Sequence, residues 1–260
     1  QVIEATGPDH LDEPDERIKI RQRDTIGFMT IARTMISHYP TRSILGFSLF
    51  VGQAFLYNAV LFTYAVMLKE FYGVPADHAG LYLIPFALGN LLGPILLGRL
   101  FDVVGRRVMI SSCYLLSAIL LTGTAILFEQ GALNATTLTL AWSVTFFFAS
   151  AGVSAAYLTV SEIFPIETRA LAIAFFYAVG TGAGGIVGPV LFGGLVGTGE
   201  RSSVMYGYLL GAVLMGIAGI VEIALGVDAE RKSLEAIAPP LTAEERRPLL
   251  VEAVTYRFRG

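Results

Sequence analysis

Long apolar stretches alternate with short polar segments along most of this chain. Six stretches of roughly 20 residues are each long enough to cross the hydrocarbon core of a bilayer as a helix. Inside each stretch, polar and apolar residues do not alternate regularly enough for a strand of a β-barrel. A helix satisfies its own backbone hydrogen bonds in lipid. The pattern therefore predicts an all-α, multi-pass integral membrane protein surrounded by membrane lipid. The predicted spans are Ser43–Met67, Ala79–Phe101, Val108–Phe128, Thr136–Val160, Ala170–Leu195 and Met205–Leu225.

The two flanks of the spans are polar. Within the first flank, Thr25–Tyr39 is amphipathic, with apolar positions opposite Arg33 and His38. This pattern predicts an interfacial helix, and a solvated tail is the alternative. Because the chain starts at Gln1 without a signal peptide, we expect it to be a piece of a longer protein. The predicted organisation is a cytoplasmic linker with an amphipathic helix over 1–42, six transmembrane helices over 43–227 and a cytoplasmic tail over 228–260.

The composition agrees with a lipid environment. The chain is 54% hydrophobic and 15% charged, which lies outside the usual balance of a soluble domain. A net charge of −3, with no basic stripe interleaved with aromatic residues, excludes nucleic acid as a partner. The one cysteine, Cys113, lies inside an apolar stretch, so the chain has no internal disulfide framework.

Positive charges fall mostly on one side of the alternating spans. Cytoplasmic loops of membrane proteins carry an excess of lysine and arginine, so both termini are predicted to be cytoplasmic. We expect the protein to lie in the cell (plasma) membrane. Lys69 and Arg201 fall on the outer side. The predicted inner cations are Arg33, Arg42, Arg99, Arg106, Arg107, Arg169, Arg231 and Lys232.

A glycine and proline pattern occurs twice, in the second and the fifth span. Residues 86–100 read FALGNLLGPILLGRL and residues 181–195 read TGAGGIVGPVLFGGL. This correspondence predicts an inverted repeat of three plus three helices. Small residues allow close helix packing and proline permits a bend, although many polytopic bundles share such glycines. The predicted packing positions are Gly89, Gly93, Pro94 and Gly98, and their counterparts Gly184, Gly188, Pro189 and Gly193.

A basic turn joins the second and third spans. The segment 98–107, GRLFDVVGRR, resembles the loop motif G-x-L-x-D-x-x-G-R-R of the major facilitator superfamily. The alternative interpretation is a glycine-punctuated turn whose arginines only follow the positive-inside bias. The resemblance implies a six-helix half of a carrier with the three-plus-three inverted repeat, and therefore a transporter.

Three further segments resemble the sugar porters of that superfamily. The first span carries Gln53 and Asn58 at the spacing of the family pattern Q-Q-x-x-G-x-N-A-V, although Gly52 replaces the first glutamine. Residues 161–169 read SEIFPIETR and resemble S-E-I-[FY]-P-x-x-x-R, and residues 227–237 resemble a worn P-E-T-K-G-x-S-L-E-E-I. Their order identifies the chain as similar to the C-terminal half of a sugar porter, spans seven to twelve.

The resemblance implies roles for particular residues. The substrate-binding residues would be Gln53, Tyr57, Asn58 and Tyr157, because carboxamides offer a sugar both donors and acceptors. Asn58 could equally join two helices. A gating charge network that locks the outward-open state would consist of Asp102, Arg106, Arg107, Glu162 and Arg169. The implied partners are a small-molecule substrate and the missing N-terminal six-helix half. No cofactor or metal is implied, and transport is expected to be proton-coupled.

Departures from the family pattern leave the substrate class open. Where sugar porters carry G-P-x-P-W, residues 154–157 read SAAY. An organic or aromatic acid symporter and a drug exporter are therefore alternatives to a sugar carrier. A membrane-embedded enzyme finds no support, since the three histidines lie outside the spans, and a receptor built on a carrier fold stays open. Glu222 is expected to extend from the last span toward the membrane surface.

Overall fold

The computed structural model describes residues 33, 35–165 and 168–227, except the side chain of Phe62. Six helices in this part of the chain are long and apolar enough to cross a membrane, which confirms the predicted all-α membrane class and the six spans. The predicted interfacial helix is described only in part, with residues 35–38 helical, and the predicted tail lies outside the described residues. The helices are α1 (Pro40–Tyr72), α2 (Ala79–Val103), α3 (Arg106–Glu129), α4 (Ala135–Glu162), α5 (Arg169–Gly197) and α6 (Arg201–Leu225).

Local sequence sets several helix ends. Pro40 starts α1 at a position where its missing N–H costs nothing, and Gly73 ends it with a left-handed φ of 63°. Asn134 caps α4 by accepting a hydrogen bond from the Thr137 backbone N–H, completing a capping box. Gly105 has a φ of 111° between α2 and α3, a conformation that favours glycine. The basic turn therefore depends on Gly105 to reverse the chain direction.

The contacts between helices follow a three-plus-three symmetry. α1 packs along α5 and α2 packs along α4, while α3 packs against both α6 and α4, and α6 against α1. When α1–α3 are exchanged with α4–α6, this set of contacts maps onto itself. The structure thus has the inverted repeat predicted from the glycine pattern. One end of the bundle carries Arg106 and is called the basic end here, and Arg201 lies at the opposite end.

Two glycines of each repeat lie where neighbouring helices touch. A Cβ on Gly89 or Gly93 would overlap the α4 backbone, and a Cβ on Gly184 would lie 2.5 Å from the carbonyl carbon of Ala54 in α1. Gly188 also faces α1, with 3.3 Å from the built Cβ to the nearest backbone nitrogen. These glycines therefore permit the close pairing of α2 with α4 and of α5 with α1.

The outer members of the glycine pattern do not pack in this way. Among the described residues, nothing lies within 4 Å of a Cβ built on Gly98 or Gly193. The packing role predicted for them is therefore wrong for contacts among these six helices. Pro94 and Pro189 lie inside α2 and α5, where each removes a backbone hydrogen-bond donor.

We expect Gly93→Ala to destabilise the protein. The added methyl group would overlap the Phe147 carbonyl oxygen and lie 2.6 Å from Ser150 Oγ, so α2 must move away from α4. Overpacking of this kind costs about 1–3 kcal/mol, and thermal unfolding of the purified protein in detergent measures it. Gly98→Ala is the matched control in the same helix, with an expected change within about 0.5 kcal/mol. Equal unfolding midpoints for the two variants would contradict the close approach.

Candidate functional site

Four helices line a half-open cavity of about 360 Å³. All four residues predicted to bind substrate line this cavity. α3 and α6 contribute no side chain to it, because they pack together on the other side of α1 and α4. The lining residues are Gln53, Ala54, Tyr57 and Asn58 of α1, Asn90 and Pro94 of α2, Ser150, Val153, Ser154 and Tyr157 of α4, and Tyr177 and Thr181 of α5.

A hydrogen bond between Gln53 and Tyr157 crosses the cavity from α1 to α4. Gln53 Nε2 donates to the Tyr157 hydroxyl oxygen over 3.3 Å. The Tyr157 ring packs edge-on against Phe50, with the ring centroids 4.6 Å apart. Gln53 is buried while Tyr157 is half-buried, so the tyrosine is the more accessible of the two to a molecule in the cavity. The two residues are held in place by contacts inside the protein.

A second hydrogen bond joins α1 to α2. The Tyr57 hydroxyl donates to Asn90 Oδ1 over 2.6 Å, and the Tyr57 ring packs edge-on against Phe146 at 4.8 Å between centroids. The glycine pattern of this segment does not indicate Asn90, because the counterpart of Asn90 in the second copy is Gly185. A single carboxamide in the middle of an apolar span was the available signal.

Asn58 is satisfied within its own helix. Its Nδ2 donates to the Ala54 carbonyl over 2.7 Å, so it does not join two helices through this bond. The Asn58 carboxamide also has a second N–H and an acceptor oxygen, and neither takes part in this bond. Gly185 of α5 faces that oxygen, and even a Cβ built there would be 3.8 Å away. There is therefore space for a ligand atom beside Asn58.

The cavity is polar but uncharged. Its polar groups are carboxamides and hydroxyls, and no charged side chain lines it within the part of the chain that the structure describes. The same described residues contain no group of three or more His, Cys, Asp or Glu side chains that could hold a metal ion. Such a lining can donate to and accept from a neutral solute, and it offers no counter-charge for an ionic one.

A cluster of opposite charges lies at the basic end. Arg106 forms a hydrogen-bonded ion pair with Glu162, which joins the start of α3 to the end of α4. Their side chains are only 16% and 20% exposed, whereas Asp102, 3.8 Å from Arg106, is 66% exposed. The pair between Arg106 and Glu162 is therefore the shielded part of this group, which we call the ionic cluster (Asp102, Arg106 and Glu162).

Two arginines predicted for the network lie apart from the ionic cluster. Arg107 donates from Nε to the Ile223 carbonyl oxygen over 3.1 Å, so it holds α3 to the end of α6. Arg169 Nε is buried and has no hydrogen-bond partner among the described residues, and it forms no ion pair with Glu162. The five predicted residues therefore separate into an ionic cluster of three, a contact of Arg107 with α6, and Arg169 at the start of α5.

The expectation for Glu222 is wrong. Its side chain is 0% exposed, so its carboxylate lies inside the bundle and does not extend toward the membrane surface. Glu222 lies one turn before the end of α6, and Gly226 and Arg107 lie close to it. At this position of α6 the Glu222 side chain points into the interface with α3, which explains why it is buried and does not reach the membrane surface.

A comparison with known proteins agrees with this architecture. The sequence profile of the Major Facilitator Superfamily matches residues 28–256, which include all six membrane-spanning helices. No curated protein matches the chain. Members of this superfamily are secondary transporters, and the six apolar helices, the inverted repeat and the basic turn agree with the match. The chain belongs to the Major Facilitator Superfamily.

Proposed function

We propose that this chain is the C-terminal half of a sugar-porter-like carrier that moves a small, neutral, polyhydroxylated solute by alternating access. The observation that carries the proposal is the uncharged cavity, on which Gln53, Tyr57, Asn58, Asn90 and Tyr157 converge. Its carboxamides and hydroxyls can each donate and accept hydrogen bonds, which suits a solute that carries several hydroxyl groups. A carboxylate substrate would find no cation here, and a large apolar drug would bury the remaining carboxamide N–H groups without a hydrogen-bond partner.

The proposal assigns an orientation and a partner. The protein lies in the cell membrane with its basic end on the cytoplasmic side. Arginines concentrate at this end, and cytoplasmic loops carry an excess of lysine and arginine. An N-terminal half of six helices completes the cavity on the side of α2 and α5. We also propose proton coupling, with the proton-binding carboxylate in that other half, since no carboxylate lines the cavity among the described residues.

Uptake by the complete carrier in proteoliposomes tests the proposal. We expect saturable uptake of a radiolabelled neutral sugar or polyol, stimulated by an inward proton gradient. A carboxylate such as benzoate and a cationic dye are the matched negative substrates. Uptake of only the acid or only the dye would contradict the proposed substrate class. Binding of the sugar without flux would identify a receptor on a carrier fold.

We expect Gln53→Ala in the complete carrier to weaken substrate binding about fivefold. In this proposal the Gln53 carboxamide, which also bonds Tyr157, forms one hydrogen bond with the solute, and a neutral hydrogen bond contributes about 1 kcal/mol net. Equilibrium binding of the labelled solute measures the effect. Thr122→Val is the control, because the Thr122 hydroxyl of α3 donates to the Ala118 carbonyl oxygen of the same helix and does not line the cavity. Unchanged affinity with normal expression would make Gln53 a structural residue.

A further inference from the structure

Three aromatic rings surround Arg201 at the end of the bundle opposite the basic end. Arg201 Cζ lies 4.8 Å from the ring centroid of Phe128, 5.3 Å from that of Tyr72 and 5.6 Å from that of Phe71. Its Nη1 also donates to the Phe128 carbonyl oxygen over 2.9 Å. We call these four residues the outer clamp. They join the start of α6 to the ends of α1 and α3.

The inverted repeat relates the outer clamp to the ionic cluster. Arg106 and Arg201 are each the first residue of the third helix of their triplet, and the spacing from Gly93 to Arg106 equals that from Gly188 to Arg201. Arg106 holds α3 to the end of α4, and Arg201 holds α6 to the end of α1. These two links become equivalent when the triplets are exchanged.

The two ends use different chemistry for the same link. The Glu162 carboxylate forms an ion pair with the Arg106 guanidinium, whereas no carboxylate lies within 4 Å of Arg201 among the described residues. The faces of three rings and the C-terminal ends of two helices stabilise the Arg201 cation instead. Phe128 is fully buried and packs edge-on against Phe71 at 5.1 Å between centroids, so packing fixes both rings. The cation therefore meets a preformed site.

The end of α1 has space beside it. A cavity of about 500 Å³ lies between the end of α1 and the starts of α2 and α4, and Tyr72 and Gly73 form part of its wall. α1 also carries Gln53, Tyr57 and Asn58 of the substrate cavity. A displacement of its outer end would therefore change access to the cavity from that side.

We propose that the outer clamp holds the outer end of α1 closed and opposes the ionic cluster at the basic end. This inference rests on the alternating access proposed above. Loss of the ionic cluster frees the basic end and favours the inward-open state, whereas loss of the outer clamp frees the end of α1 and favours the outward-open state. The two sets of variants therefore shift the same equilibrium in opposite directions.

Thiol labelling of the complete carrier tests the outer clamp. The reporter is Ser154→Cys in the cavity wall, in a background without native cysteines, and the probe is a membrane-impermeant cationic methanethiosulfonate. We expect Arg201→Gln to raise the labelling rate from the outer side about three- to tenfold and to lower it from the inner side. Arg201→Lys should show a smaller change, since it keeps the cation but loses the planar fork. Lys69→Gln is the matched control, an exposed cation at the same end of α1, with the wild-type rate expected.

The possible outcomes separate the clamp from the transport mechanism. Wild-type labelling in Arg201→Gln, together with increased inner labelling in Arg106→Gln, would overturn the clamp and leave alternating access in place. If neither variant nor saturating sugar changed labelling from either side, the proposed alternating access would fail. Should Arg201→Gln not reach the membrane, the double variant Phe71→Leu with Tyr72→Leu removes the rings and keeps apolar side chains. Wild-type labelling in that double variant would also overturn the clamp.

Discussion

Glu162→Gln in the complete carrier is expected to slow transport at least fivefold. The change leaves Arg106, which is only 16% exposed, with a single carboxylate 3.8 Å away on the solvent-exposed Asp102. A shielded pair of this kind biases a two-state equilibrium by about 1–3 kcal/mol, which corresponds to about five- to 150-fold in population. Because Glu162 does not line the cavity, equilibrium substrate affinity should stay within about tenfold of wild type.

Accessibility of a cavity cysteine from each side of the membrane measures this shift. Arg106→Gln should move labelling toward the inner side as Glu162→Gln does, since the two side chains form one ion pair. Arg107→Gln is the matched control, because Arg107 bonds the end of α6 and not a carboxylate of the ionic cluster. Opposite shifts for Glu162→Gln and Arg106→Gln, or normal transport in both, would show that the ionic cluster does not gate the protein.

Arg106 and Arg107 are adjacent in sequence but bind different helices, and the sequence of the turn does not show which arginine binds which helix. Neighbouring residues on a helix point about 100° apart, so one of two adjacent arginines can face α4 while the other faces α6. Which one does so depends on how α3 is rotated between its two neighbours. The motif fixes the position of both residues at the start of α3, and the packing of α3 assigns them different partners.

The spans and the repeat were predictable because they depend on local pattern. Apolar length alone identifies a membrane helix, and the glycine spacing that produces close packing is visible in two stretches of sequence. No role was predicted for Asn90 and the role predicted for Glu222 was wrong, since the surroundings of both residues come from other helices. Asn90 meets Tyr57 across the gap from α2 to α1, and the burial of Glu222 depends on the neighbours of α6.

The exposure of the six helices bears on whether this chain forms a complete pathway. In the apolar stretches of α1 and α4, 61% and 67% of residues are buried within the bundle, against 11% and 22% in α2 and α5. Yet α2 and α5 both line the substrate cavity. Large apolar side chains such as Leu92, Ile95 and Val190 cover their exposed faces. Lipid or a second set of helices must therefore cover α2 and α5, and a substrate pathway beside them requires the second set.

The 260-residue chain, reconstituted alone, is therefore expected to give no saturable uptake above that of empty liposomes. Within this chain only α1, α2, α4 and α5 line the half-open cavity, so under the proposed half-carrier assignment the helices that would close it around a bound solute are absent. Uptake of the labelled sugar is measured for the chain alone, for the complete carrier, and for the chain reconstituted with its N-terminal half as a separate polypeptide. The complete carrier and the chain with its separate N-terminal half should both transport the sugar.

Light scattering in detergent gives the oligomeric state of each sample, because a homodimer would cover the same faces through the inverted repeat. Saturable uptake by a homodimer of this chain would contradict the need for a different N-terminal half, and uptake by a monomer would contradict the assignment of the chain as half a carrier.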